Sequence, residues 1–222
     1  AWGGATYGRI PIPRGYSGYV GLNVENMKTD GTGNALSSFL GSITEFFLYY
    51  ETTDELPKTA AHWAELGIHF DAVYTGFMGS EAQMDLAADF VRTFRRDRST
   101  IFICDPVMGD HGRMYRGLAP EMVPAMYTLC SRASLILPNT TEAALLLGDP
   151  MPGVTGEAEL HTAQAQAQRL TRICPRVLIT GVAAGRGIAC VGADRATGES
   201  LVRTPMVPKS FHGTGGIFGA VL

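Results

Sequence analysis

The segment CDPVMGDHGRMY (104–115) carries the densest chemistry in the chain. It sets two carboxylates, Asp105 and Asp110, on one short stretch, with Pro106 and Gly109 to stiffen and bend it. Hard oxygen donors so placed suit Mg2+, which binds through carboxylates, water and the oxygens of a phosphate. Aspartates also cap turns with no ligand at all, and this stretch alone leaves the two readings level. A second stretch, LPNTTEAALLLG (137–148), offers Asn139 and Glu142. Asn-x-x-Glu before an apolar run is first a helix-capping pattern. A helix start is also an anion site, so Glu142 is a candidate to help hold a metal, directly or through water. VLITG (177–181) ends in Thr180 and Gly181, a hydroxyl and open backbone suited to touching phosphate. TGFMGS (75–80) holds Phe77, which could wall an aromatic ligand, although a Phe just after a strand is more often core.

The last stretch is SFHGTGGIFGAVL (210–222). Gly213, Thr214 and Gly215 form a small turn, followed at once by a helix-like apolar run from Ile217 to Leu222. Backbone N–H groups and the helix dipole make such a turn an anion cradle. A phosphate-transfer site would also want a base beside it, yet the next residue is Gly216. The turn is not Gly-x-x-x-x-Gly-Lys-Ser/Thr, so no Walker loop is implied. Nor is it Gly-x-Gly-x-x-Gly, because Phe218 takes the last glycine position, which disfavours a dinucleotide dehydrogenase. His111 and His212 lack a second histidine at metal-ligand spacing and read as ordinary loop residues.

These stretches need elements to hold them. From residue 55 onward, helical and β-rich runs alternate. Helices are predicted over 55–67 with Gly67 as C-cap, 80–94 with a Ser80/Gln83 capping box, 119–133, 140–148 and 157–173. Strands are predicted over 70–76, 99–106, 134–139 and 176–181, with a further pair at 187–194 and 199–207 joined by the turn RATG. Such alternation implies right-handed crossovers, and so an α/β fold with a mostly parallel central sheet and helices on both sides. Ligands in such sheets bind at the carboxyl ends of the strands. That rule places TGFMGS, CDPVMGD, LPNTTE, ITG and HGTGG on one rim.

Residues 1–53 are rich in Gly, Pro and Tyr and read as turns and short extended pieces. The 222 residues suffice for one domain with a sizeable core, and residues 1–222 are read as one. The formal net charge of −3, with no basic block, argues against nucleic acid as the main partner. No apolar run approaches the length of a membrane span. Cys104, Cys130, Cys174 and Cys190 are widely spaced with no Cys-x-x-Cys pair, which predicts a reducing, cytoplasmic setting. The chain starts at Ala1 rather than Met and stops inside an apparent helix, so atypical or missing parts are expected at both ends.

In this order, DAVYTGFMGS, DPVMGDHGRMY, PNTTEAALLLG, VLITGV and SFHGTGGIFGAVL resemble the ribokinase-like superfamily, and within it the pyridoxal/pyridoxamine (vitamin B6) kinases. The resemblance covers roughly residues 54–222. It implies a three-layer α/β/α sandwich and ATP-dependent phosphorylation of the 5′-hydroxymethyl group of pyridoxal, pyridoxine or pyridoxamine. It further implies that Asp105, Asp110 and Tyr115 lie along the ATP phosphates. Asp110 and Glu142 would serve Mg2+ with Asn139 beside them, and Thr180 and Gly181 would border the nucleotide. Gly213, Thr214 and Gly215 would form the anion hole for the transferred group, and Phe77 would sit near the pyridine ring. The family pattern is Gly-Thr-Gly-Asp, whose aspartate deprotonates the substrate hydroxyl. Gly216 stands at that position, so the resemblance implies impaired turnover. Hydroxymethylpyrimidine kinase, a catalytically dead binder of nucleotide or B6 vitamer, and a defective fragment are the competing readings. Related folds often pair through a sheet edge or lid, which makes a homodimer the guess for assembly.

Overall fold

The computed structural model describes residues 53–97, 99–153, 157–207, 218, 219 and 221 in full, and 6–10, 16–22 and 45–50 as backbone strands. The Gly213–Gly215 turn predicted to hold an anion, and Gly216 after it, lie outside the described residues. The chain forms two compact units, Ala1–Lys58 and Thr59–Leu222.

The first unit holds β1 (Thr6–Ile10), β2 (Tyr16–Leu22) and β3 (Glu45–Tyr50) in an antiparallel sheet of order β1-β2-β3. The pairing runs Thr6 to Leu22 and Tyr16 to Tyr50. The short extended pieces expected in this region are therefore strands of one meander.

In chain order the remaining elements are α1 (Leu56–Glu65), β4 (Ala72–Thr75), α2 (Glu81–Phe94), β5 (Ile101–Cys104), β6 (Gly109–Asp110) and β7 (Arg113–Met114). There follow α3 (Met122–Ser131), β8 (Leu135–Ile136), α4 (Thr140–Leu147), α5 (Glu157–Leu170), β9 (Arg176–Ala184), β10 (Gly187–Asp194) and β11 (Gly198–Pro205). Gly67, at φ +66°, closes α1, because the left-handed region carries no steric cost for glycine. Ser80 caps α2 by accepting the Gln83 N–H, while the Gln83 side chain accepts the N–H of Gly79 rather than closing the predicted box on Ser80. α3 begins at Met122, two residues past Pro120, after a tight turn in which Ala119 and Pro120 carbonyls accept the N–H groups of Met122 and Val123.

The large sheet has the order β11-β10-β9-β8-β5-β4. β4, β5, β8 and β9 run parallel, with Thr75 beside Cys104, Cys104 beside Ile136 and Ile136 beside Val177. β9, β10 and β11 then pair antiparallel, which is the predicted 187–207 hairpin preceded by a second hairpin. A short apolar strand buried on both faces is what a central parallel strand requires, and Phe102, Ile103 and Cys104 of β5 are buried. The core runs from Met84 and Val91 of α2 through Phe102, Met126 and Ile136 to Leu160, Leu170, Ile179 and Val191. Trp63 of α1 meets Phe70 and Phe90 edge-on at centroid distances of 5.7 and 5.9 Å.

VLITG was expected to end a strand, but β9 continues to Ala184. Its ladder slips at this point: Val191 faces Ile179 while Ala189 faces Val182, so Thr180 and Gly181 together oppose Cys190. Gly181 takes φ +70°, the conformation of a bulge residue, and bulges re-aim side chains next to sites. The strand then turns at Gly185, φ +61°, into β10. Among the described residues no helix is long and apolar enough to cross a membrane, and the four cysteines are free thiols.

Candidate functional site

Because β4, β5, β8 and β9 are parallel, the segments behind the first three leave the sheet on one edge, where the β9 bulge also lies. Backbone hydrogen bonds stitch them together there. Asp105 N–H donates to Thr75 O at 2.9 Å, Leu137 N–H to Cys104 O at 3.0 Å and Thr180 N–H to Pro138 O at 2.9 Å. Asn139 and Thr180 form an isolated parallel bridge. The rim predicted from chain order is thus continuous from β4 to β9.

CDPVMGDHGRMY is more ordered than the loop expected. Gly109–Asp110 and Arg113–Met114 pair antiparallel through a two-residue turn, His111 at φ 50° and Gly112 at φ 72°. Positive φ at both central residues is the twist a tight hairpin needs. Asp110 Oδ1 accepts the His111 N–H at 2.7 Å, which helps hold a non-glycine residue in that conformation. A Cβ on Gly109 would stand 2.3 Å from the Arg113 carbonyl oxygen, so this position tolerates no side chain. Gly109→Ala is expected to destabilise the chain by about 1–3 kcal/mol through local overpacking, measured as a lowered urea midpoint at unchanged slope. A midpoint equal to that of the parent would show that the ribbon accommodates the methyl group.

The capping reading of PNTTE holds. Asn139 caps α4 by accepting the Glu142 N–H at 2.9 Å, and Glu142 Oε2 accepts the Asn139 N–H at 2.9 Å, a complete capping box. The other oxygen, Oε1, accepts the Met108 N–H at 3.1 Å, and Asn139 Nδ2 donates to Gly109 O at 2.7 Å. Thr141, also buried, accepts the Gly112 N–H at 2.8 Å. The start of α4 therefore clamps the Asp105–Tyr115 segment at three points. Glu142 is buried, and burial pushes its carboxyl up to about 8 against the backbone donors, which favour the charged form.

Asp105 and Asp110 lie at the mouth of this arrangement. Burial raises the Asp105 carboxyl, opposed by the Tyr74 hydroxyl, which donates to Oδ2 at 2.6 Å. Tyr115, partly exposed, has its phenol raised first by burial and then by the charges of Asp110, Glu142 and Asp105. The two aspartates thus act on one ring, and Glu142 adds its charge once it ionises, above about pH 8. A polyanion approaches such a cluster only with a cation between them, and the donors present are the hard oxygens that Mg2+ accepts. Among the described residues no three His, Cys, Asp or Glu side chains group to chelate a metal by themselves. Phe77, two residues past β4, is largely exposed.

The sequence reading missed Tyr74. Its signal was a large polar aromatic at the penultimate position of a strand whose parallel neighbour is otherwise apolar. It also missed Thr141, which reads as ordinary helix-start polarity.

The family model described as phosphomethylpyrimidine kinase matches residues 50–222. A Bacteroides thetaiotaomicron protein carrying the phosphomethylpyrimidine kinase name, crystallised in an orthorhombic form with pyridoxal, is 33% identical with a TM-score of 0.71, covering 80% of this chain and 62% of that one. Pyridoxal kinase from Lactobacillus plantarum is 29% identical with a TM-score of 0.67, covering 87% of this chain and 63% of that one. The pyridoxal kinase PdxY of Deinococcus radiodurans is 30% identical over 165 residues, 68% of this chain and 52% of its own length. The chain spans about half the length of the curated relatives it matches. With its parallel-sheet α/β fold and a match over most of its length, the chain belongs to the phosphomethylpyrimidine kinase family and has the ribokinase-like architecture of pyridoxal kinases.

Proposed function

We propose that this chain phosphorylates the 5′-hydroxymethyl group of pyridoxal, pyridoxamine or pyridoxine with ATP, at a rate reduced by Gly216. One observation carries the reading: Asp105 and Asp110, Asn139 and Glu142, and Thr180 come from three separate segments yet share a single hydrogen-bonded rim. Asp105, Asp110 and Tyr115 line the triphosphate, and Thr180 and Gly181 border the nucleotide. Mg2+ would be held by Asp110 and Glu142, whose oxygens also accept the N–H groups of Met108 and Asn139. When bound, the cation neutralises phosphate charge. Asn139 and Glu142 keep the carboxylate segment in place, Phe77 walls the pyridine ring, and Gly213, Thr214 and Gly215 form the anion hole for the phosphoryl group as it passes to the hydroxymethyl oxygen. The Bacteroides relative seen with pyridoxal supports the choice of heterocycle.

Two other readings have specific support. The family description favours a hydroxymethylpyrimidine substrate on the same scaffold. Gly216 favours a binder of nucleotide or B6 vitamer that transfers nothing. ADP release from Mg·ATP, measured in parallel with pyridoxal, pyridoxamine, pyridoxine and hydroxymethylpyrimidine, separates the three. The proposal expects slow release that depends on a B6 vitamer. Release with the pyrimidine alone replaces the substrate, and calorimetric binding without release leaves the binder.

A further inference from the structure

Tyr74 stands between two parts of the rim. Its hydroxyl donates to Asp105 Oδ2 at 2.6 Å, across the parallel pair β4 and β5. Its ring lies against the backbone of Gly219, three residues beyond Gly216. A Cβ on Gly219 would meet Cε2 at 2.5 Å, Cζ at 2.9 Å and the hydroxyl oxygen at 3.0 Å. Gly219 is buried and Tyr74 is 39% exposed. The ring edge carrying the hydroxyl is therefore braced by the chain's last described helical residues, and the hydroxyl is spent on one carboxylate oxygen. A partly exposed tyrosine has no need of such a brace for stability alone. A short hydrogen bond to a carboxylate is directional and among the stronger kinds, so it fixes which way Asp105 turns.

We propose that Tyr74 is a positioning residue for the nucleotide: braced by Gly219, it holds the Asp105 carboxylate in the one orientation that receives the cation-bound phosphates. The inference rests on the nucleotide reading of the rim given above. Asp105 touches the ligand complex, and Tyr74 acts only through it. The residue at 219 must then be glycine because any side chain would push the ring, and with it the hydroxyl, off Asp105.

The test is a double-mutant cycle read by calorimetric titration of the full chain with Mg·ADP. Tyr74→Phe keeps the ring and removes the donor; Asp105→Asn removes the charge that the donor orients. Tyr74→Phe is expected to weaken Mg·ADP binding by about threefold to tenfold in the parent background, the scale of one hydrogen bond to a charged group passed on in part. In the Asp105→Asn background the same change is expected to shift the dissociation constant less than about twofold, since coupled pairs are non-additive. Melting temperatures of all four proteins are recorded, and Tyr74→Phe is expected to keep that of the parent. An unchanged dissociation constant in the parent background, or an equal loss in both backgrounds, overturns the positioning role while leaving the nucleotide reading intact. Failure of the parent itself to bind Mg·ADP overturns both. Should Asp105→Asn not fold, Asp105→Glu, which keeps the charge and moves it out of reach of the hydroxyl, takes its place with the same expectation.

Discussion

Gly216→Asp is expected to raise B6-dependent turnover by about 10²–10⁴-fold, the usual contribution of a general base. The resemblance places a proton acceptor at this position, immediately after the Gly213–Gly215 turn, and the chain has hydrogen there instead of a side chain. The alcohol of a hydroxymethyl group is a poor nucleophile until its proton leaves. Water can take that proton, which is why slow turnover rather than none is expected of the parent. The substitution adds a group that acts only in the transition state, so its gain belongs to kcat and leaves Mg·ADP affinity near that of the parent. The check is single-turnover ADP formation with saturating pyridoxal, alongside calorimetry on the same samples. A variant that folds, binds nucleotide and turns over no faster would refute the base assignment.

Glu142→Ala is the second large effect, and it acts on stability. The substitution strips acceptors from the N–H groups of Met108 and Asn139 and removes half of the capping box. A buried donor left unpaired costs about 1–3 kcal/mol, and a lost cap about 0.5–2 kcal/mol. With partial relaxation the expected loss is about 2–4 kcal/mol. A pH signature accompanies it. Burial raises the Glu142 carboxyl from an ordinary 4.5 to about 8, so between those values the folded chain holds a proton that the unfolded chain has released. Folding takes up a proton across that window. The contribution of Glu142 is thus complete below about pH 4.5 and lost as pH rises through about 8, making the slope of stability against pH negative there. Urea unfolding at pH 5, 6, 7 and 8 should show this decline in the parent and a flatter profile in Glu142→Gln, which cannot titrate. A parent profile that rises over the same interval would mean that the backbone donors outweigh burial and hold Glu142 ionised.

Much of the rim was legible because two rules converge on it. The alternation of helical and β-rich runs fixes a parallel sheet, and a parallel sheet fixes which strand ends share an edge. Asn139 and Glu142 followed from the capping pattern alone, and the structure shows the cap complete. What the sequence concealed was where backbone meets backbone. The β9 bulge at Thr180–Gly181 looks in the sequence like a strand end, because a glycine at positive φ reads as punctuation whether the strand stops or only kinks. The Gly109–Met114 ribbon looks like a loop because its turn places a non-glycine residue, His111, at φ 50° beside Gly112. The Tyr74–Asp105 bond joins residues 31 positions apart, and no local pattern announces it. Residues 1–53 carried the weakest signal. Their Gly-, Pro- and Tyr-rich texture gives no clean alternation from which the order β1-β2-β3 could be read.

The most direct test of the central claim is a crystal structure of the full chain grown with ADP and Mg2+. The account predicts phosphates and cation at the edge where β4, β5 and β8 end, within reach of Asp105 and Asp110, with Thr180 and Gly181 beside the nucleotide. Nucleotide bound on another face of the sheet, with Asp105, Asp110 and Thr180 left in solvent, would contradict it.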